Sequence, residues 1–274
     1  MISIITAVYN QLAINQLYFE SLKQYTHHPF ELIVIDNGST DGSREYFESV
    51  GAKVIANDGN YSYPRCQNQG IAVAQYDYLA FLNNDLIVSR NWDKYLVESM
   101  QHNGLEIITT CGIEHLETPI ATKHIKRRWQ RIKNLIGLFG HSRTTFRLMH
   151  RLMYKGQWET FTEERHQRFQ YQVKEGFVGN TVMIHRTALD KVGLWDERIQ
   201  GADFDLYLRA KERSETVGDI KPMHIALDAF NHHYIRITLK SGYPPFKDKA
   251  NLIEVEQKWP AKKRAWLEQI NGTR

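Results

Sequence analysis

The chain has 274 residues, 42% of them hydrophobic, and a formal net charge of +4. That length suits one large domain or two smaller ones, and the apolar share supports a real core rather than a disordered chain. No apolar run approaches the ~20 residues a membrane-spanning helix needs, and Cys66 and Cys111 stand alone, which argues against a disulfide framework and for a reducing compartment.

The N-terminus carries neither a charged leader region nor a cleavage site, and Ile2 to Val8 already reads as a strand. Leu12, Ile14, Leu17, Leu22 and Tyr25 then recur at roughly helical spacing up to Pro29. Glu31 to Asp36 is a second buried strand, followed by a loop rich in turn formers, Asn37 to Ser43, suited to capping a helix that begins near Arg44. Lys53 to Ala56 is a third strand, and Arg65 to Gln75 a helix leading into Tyr78 to Leu82. That run ends on Asn83-Asn84-Asp85. Two amides and a carboxylate at the end of a buried strand are a turn signal, and also what a ligand site at the carboxyl edge of a parallel sheet requires. Asn91 to Asn103 is a helix and Ile107 to Cys111 a further strand. The alternation of strand and helix predicts an α/β fold with a mostly parallel, doubly wound sheet.

The character then changes. From Thr118 to Trp158 there is no Asp or Glu, while Lys123, Lys126, Arg127, Arg128, Arg131, Lys133, Arg143, Arg147, Arg151 and Lys155 are basic and apolar residues are interleaved at helical spacing. This predicts a basic amphipathic hairpin, part of a helical insert at about 118–175. It fits a solvated face packed on the main domain, an anionic membrane surface, an anionic acceptor or nucleic acid. Phe177 to His185 reads as a strand in which Gly179 admits a ligand to the backbone, and Thr187 as the cap of a short helix. Asp203 and Asp205 open a helix reaching about Arg213, where the helix dipole favours negative charge. Asn231-His232-His233 follows a strand at Ala226 to Phe230, and 241–274 is expected to be a helical tail.

Ser3 to Asn10, Val34 to Asp41, Asn68 to Gly70, Phe81 to Asp85, Val192 to Glu197 and Asp203 to Arg209 come in an order that resembles the family 2 glycosyltransferases of GT-A fold, in particular their rhamnosyltransferase-like branch. The resemblance covers about 1–110 and 176–238, placing one GT-A domain at 1–240, and leaves the insert and the tail outside it. It implies that Thr6, Ala7, Tyr9 and Asp36 line the nucleobase pocket, that Asp58 and Arg65 lie near base or diphosphate, and that Asn68, Asn84 and Gly179 belong to the nucleotide-sugar site. Asn83 would face the ribose and Asp85 would be the metal ligand for Mn2+ or Mg2+, completed by His233 or its neighbour His232. Asp203 falls on the catalytic carboxylate, with Ala202 where the family carries a Glu.

The implied reaction is inverting, metal-dependent transfer of a hexosyl group from a UDP-, dTDP- or GDP-linked donor to a hydroxyl of a saccharide or lipid-linked glycan of a cell-surface polymer. The divalent ion would neutralise the diphosphate leaving group and Asp203 would act as general base. The implied location is cytoplasmic, with peripheral contact at the inner face of an anionic membrane. The alternative reading is a nucleic-acid-associated protein, either a binding module or a transferase glycosylating a hydroxylated DNA base, using the basic insert with Trp129, Phe139 and Phe146 for phosphate contacts and stacking.

Overall fold

The computed structural model describes residues 1–235 and 242–269. Strands β1 (Ile2–Val8), β2 (Phe30–Asp36), β3 (Lys53–Ala56) and β4 (Tyr78–Leu82) are parallel and lie in the order β3-β2-β1-β4. They are connected through α1 (Leu12–Tyr25), α2 (Ser43–Ser49) and α3 (Tyr63–Val73). Successive side chains leave opposite faces of a strand, so Ile4 enters a core shared with α1 and α4 (Trp92–Asn103), while Ile5 enters a second core with α3. At Gly70 an added Cβ would sit 2.3 Å from Ile5 Cγ2, so only glycine lets α3 lie this close to β1.

The second half of the sheet runs β8 (Thr181–His185), β6 (Ile107–Cys111), β9 (His224–Phe230) and β7 (Val173–Glu175). β8 is antiparallel to both β4 and β6, and β7 is antiparallel to β9. The strand expected over Phe177 to His185 is therefore shorter and reversed, with 177–180 forming a loop. A strand buried on both faces gives the same apolar run in either direction. A second, two-stranded sheet pairs β5 (Leu86–Ile87) with β10 (His232–His233), matching His233 to Leu86.

The loop before α2 does more than cap that helix. Asp41 accepts the Ser43 N–H at 3.1 Å and also the Leu12 N–H at 2.8 Å, closing the first turn of α1. The short helix α8 (Arg186–Val192) has His185 at its N-cap position, so Thr187 lies inside it and does not cap it; its hydroxyl bonds Glu106 at 2.5 Å.

The basic segment forms α5 (Pro119–Ile136), α6 (Arg143–Met153) and a third helix, α7 (Trp158–Phe169), rather than a hairpin alone. Its apolar face is packed on the main domain: Trp129, Ile136, Phe146, Met149, Met153 and Trp158 are buried with Ile14 and Leu17 of α1 and with Tyr234. Helix α9 (Ala202–Thr216) carries Asp203. After it the tail returns through α10 (Val255–Lys258) and α11 (Ala261–Gln269), burying Trp259 and Leu267 in the second core. Among the described residues no helix is long and apolar enough to cross a membrane.

Candidate active site

The functional side chains gather where β1, β2, β4 and β6 end. Asp36, the last residue of β2, is fully buried. Its Oδ2 accepts from Arg44 at 2.8 Å (Nε) and 2.6 Å (Nη2), and both carboxyl oxygens face the Ser39 N–H at 3.3 Å. Oδ1 is the less committed oxygen. One strand over, Thr6 shares a 2.6 Å hydrogen bond with the buried Tyr18 hydroxyl, and Ala7 and Tyr9 are half-buried at the same edge. Asp58 is exposed and pairs with Lys247 at 2.8 Å and with the Tyr61 hydroxyl, which hold it below the usual carboxylate range. The Arg65 guanidinium lies 4.2 Å over the Tyr61 ring.

The centre of the site is a carboxylate–imidazole–carboxylate chain. The β5–β10 pairing brings His233 Nε2 to 3.0 Å from Asp85 Oδ1, while His233 Nδ1 is hydrogen-bonded to Glu114 just beyond β6. Burial pulls the imidazole pKa down, but the two carboxylates outweigh it and carry it to about 10. Burial alone would raise Glu114. The His233 charge, with a 3.2 Å bond from Asn180, holds it below its usual range instead. A histidine fixed by a carboxylate on one nitrogen, with the other turned to an aspartate, is the outer-shell pattern of a metal ligand. Among the described residues no group of three or more His, Cys, Asp or Glu could hold a metal by itself. A site of two protein ligands is what a cation sharing phosphate oxygens and water needs. His232, by contrast, faces inward: its Nδ1 lies 2.9 Å from the Tyr154 hydroxyl, and burial holds its pKa well down.

Asp203, at the first turn of α9, makes no hydrogen bond or ion pair among the described residues, and its Oδ1 is buried without a partner. Burial without a compensating donor pushes its carboxyl up to about 7. Gly179 packs directly on it: an added Cβ would fall 2.2 Å from Asp203 Oδ2. Tyr63 lies nearby with its hydroxyl buried and unpartnered, and burial together with the Asp203 charge pushes that phenol up. Orphaned buried polar atoms are rare in folded proteins and call for an explanation. A carboxylate that holds its proton near neutrality is suited to taking one from a hydroxyl. Asp205 differs: it is fully buried and saturated by Arg209 (2.8 Å), Lys258 (2.6 Å) and Trp259 Nε1 (2.8 Å).

Two of the expected residues are engaged inside the fold. Asn68 clasps the backbone of Trp195 and the Glu197 carboxylate, and Asn84 turns its amide to Asn15 at 2.7 Å. Asn83 is half-buried, its backbone N–H held by the Asn180 carbonyl. The structure adds Glu114, Arg44 and Tyr63. Glu114 carries a signal of the same kind as Asp85, a carboxylate just past a buried strand. Nothing in the sequence marks Arg44 as the partner of Asp36.

The fold is that of GT-A proteins. A mannosyltransferase from Pyrobaculum calidifontis, solved with GDP-Man and Mn2+, superposes with a TM-score of 0.54 at 13% identity, covering 98% of this chain and 70% of that one. Glucosyl-3-phosphoglycerate synthase from Mycobacterium tuberculosis, with Mn2+, UDP and phosphoglyceric acid, gives 0.50 at 15% identity over 88% of this chain and 73% of its own. The model of Glycosyl transferase family 2 matches residues 3–193, and the chain belongs to that family. The hyaluronan synthase of Pasteurella multocida is 30% identical over 114 residues, 39% of this chain and 12% of that protein. The glycosyltransferase GlyG of Streptococcus pneumoniae serotype 4 is 25% identical over 113 residues, 39% of this chain and 38% of its own. The matched region is thus well under half the length of either relative.

Proposed function

We propose that the protein is an inverting glycosyltransferase that moves a hexosyl group from a nucleotide-sugar to a hydroxyl of a saccharide or lipid-linked glycan of a cell-surface polymer. The observation that carries this reading is Asp203, a half-buried carboxylate whose Oδ1 is buried without a partner and whose pKa is raised to about 7, on the carboxyl side of a GT-A sheet. As the acceptor oxygen bonds to the anomeric carbon, the bond from that carbon to the diphosphate oxygen breaks on the opposite face. The hydroxyl proton passes to Asp203, and the nucleoside diphosphate leaves. General-base help of this kind is worth ~10²–10⁴ in rate.

Asp36 and the β1 edge would take the nucleobase. Asp85 and His233 would hold Mn2+ or Mg2+, whose chemistry there is Lewis-acid neutralisation of the leaving diphosphate. Glu114, hydrogen-bonded to His233 Nδ1, would leave Nε2 as the imidazole nitrogen available to such an ion. The donor is of the UDP, dTDP or GDP class. The exposed cations of the insert support a cytoplasmic protein in peripheral contact with an anionic membrane.

Thermal unfolding with UDP, GDP, dTDP and CDP, each with and without Mn2+, tests the donor site. A ligand at ~100 times its dissociation constant adds about 2.7 kcal/mol, and one nucleotide should raise Tm by roughly 5 °C or more only when Mn2+ is present. If no nucleotide shifts Tm under either condition, the donor reading fails.

A further inference from the structure

Helix α5 bears a surface the proposed chemistry does not use. Between α5 and α7 lies a groove of about 1240 Å³ lined by Arg127, Arg128, Arg131, Lys155 and Arg168. Its carboxylates are Glu164 and Glu117, and Glu117 is already bound to the buried Arg165 at 2.8 Å. Over the other flank of α5 a depression of about 430 Å³ is lined by Lys123, Lys126, Arg127 and Lys174 together with Glu114, the residue that holds His233. Arg127 belongs to both, so the cationic surface wraps α5 and ends beside the catalytic centre. Among the described residues Lys123, Lys126, Arg127 and Arg131 make no ion pair, whereas Arg143 and Arg147 are spent on Glu20. A concave surface of unneutralised guanidinium groups matches phosphate, which Arg binds in a two-pronged fashion.

The same helices carry exposed apolar side chains. Leu152 lines the groove, and Arg128 bonds its carbonyl at 3.0 Å. Leu148, one turn back on α6, is 42% exposed, and at the α5–α6 turn Leu135, Leu138 and Phe139 are 62%, 82% and 75% exposed. Cations beside protruding apolar side chains, with no acidic residue on either helix or the turn, suit an anionic amphiphile at a bilayer surface better than a nucleic acid backbone.

We propose that the cationic surface around α5 binds the phosphate or diphosphate of a lipid-linked acceptor, with the α5–α6 turn set into the lipid layer. This rests on the transferase reading above and names its acceptor class: the phosphate sits in the groove and the sugar hydroxyl reaches past Glu114 toward Asp203.

The test is sedimentation of the full chain with phosphatidylcholine vesicles carrying either phosphatidate or phosphatidylglycerol, with inorganic pyrophosphate as soluble competitor. Wild type should favour the phosphatidate vesicles and be released by pyrophosphate. Neutralising two groove cations, Arg127→Gln with Arg131→Gln, should weaken that binding by roughly tenfold or more and abolish pyrophosphate competition. Leu138→Ser with Phe139→Ser should lose the vesicles while pyrophosphate still raises its Tm, which separates the lipid contact from the phosphate site. Equal retention on both vesicle types, or unchanged binding by the double arginine variant, overturns the proposal. So does preferential binding of a short DNA duplex over pyrophosphate. Nucleotide-dependent Tm shifts on the same variants stay at the wild-type value if the groove is separate from the donor site, so a failure of the donor reading shows there and not in the vesicle arm.

Discussion

Asp203, the proposed general base, illustrates how a single side chain can be costly to the fold. Its folded pKa of about 7 lies above the unfolded carboxylate value of ~3.9. The fold therefore prefers the protonated form. The stability this group permits is fully present below pH ~4 and is lost as pH rises through 7, by on the order of 4 kcal/mol. Asp203→Asn should raise Tm by several degrees at pH 8, with the gain vanishing near pH 4, while transfer drops at least ~10²-fold and nucleotide binding persists. A variant that transfers sugar at near wild-type rate means Asp203 is not the base. Gly179→Ala probes the same contact from the other side, because its Cβ would fall on Asp203 Oδ2. The carboxylate has to move, and transfer should fall with the nucleotide-dependent Tm shift retained. At the other carboxylate, Glu114→Gln keeps the shape but removes the charge behind His233. Mn2+ affinity should weaken roughly 10–100-fold, as is usual when an outer-shell carboxylate is lost; titration of Mn2+ against Tm would reveal it, and an unchanged midpoint would divorce Glu114 from the metal.

At the scale of elements, the parallel half of the sheet is legible in the sequence because each strand is a short apolar run ending in polar residues and each helix repeats its apolar face. Asp36, Asp85 and His233 can be found by the same logic. The direction of β8 cannot, since a doubly buried strand has no polar alternation to orient it, and α7 is anticipated only as part of the helical insert at about 118–175, because the charge pattern marks out only α5 and α6. The burial of the insert is also hidden in composition, yet it has a consequence. His150 of α6 and His232 beneath the insert lie 5.1 Å apart, against Trp158 and Trp129 respectively. Burial pulls His150 down to about 4 and His232 well below its usual range. A histidine held neutral in the fold gives stability that is present above its unfolded pKa of ~6.5 and lost as pH falls toward the folded value. Acidification from pH 6.5 to 4 should loosen the insert first, seen as a change in Trp129 and Trp158 fluorescence before the far-UV signal of the sheet. His150→Phe should move that step to lower pH. Simultaneous loss of both signals in both proteins would show that the insert has no separate acid transition.

The tail ties the molecule together, touching both sides of the proposed active-site edge. At the proposed donor side Asp248 accepts the Ser62 N–H at 3.0 Å and the Ser62 hydroxyl at 2.5 Å, and Asn60 bonds the Pro244 carbonyl at 2.7 Å, close to Asp58. On the Asp203 side, Asp205 in α9 receives Lys258 and Trp259 from the tail. Each buried carboxylate satisfies donors that would otherwise be stranded, a loss of about 1–3 kcal/mol per group. Asp248→Ala and Asp205→Ala should therefore each lower the urea midpoint. If the 244–248 segment and the terminal helices dock as one cooperative unit, the first substitution already releases what the second depends on, and the double variant should cost clearly less than the sum of the singles. Distant, independent sites add within ~0.3–0.5 kcal/mol. Additivity inside that margin would mean that the 244–248 segment and the α9-side helices hold the two halves separately.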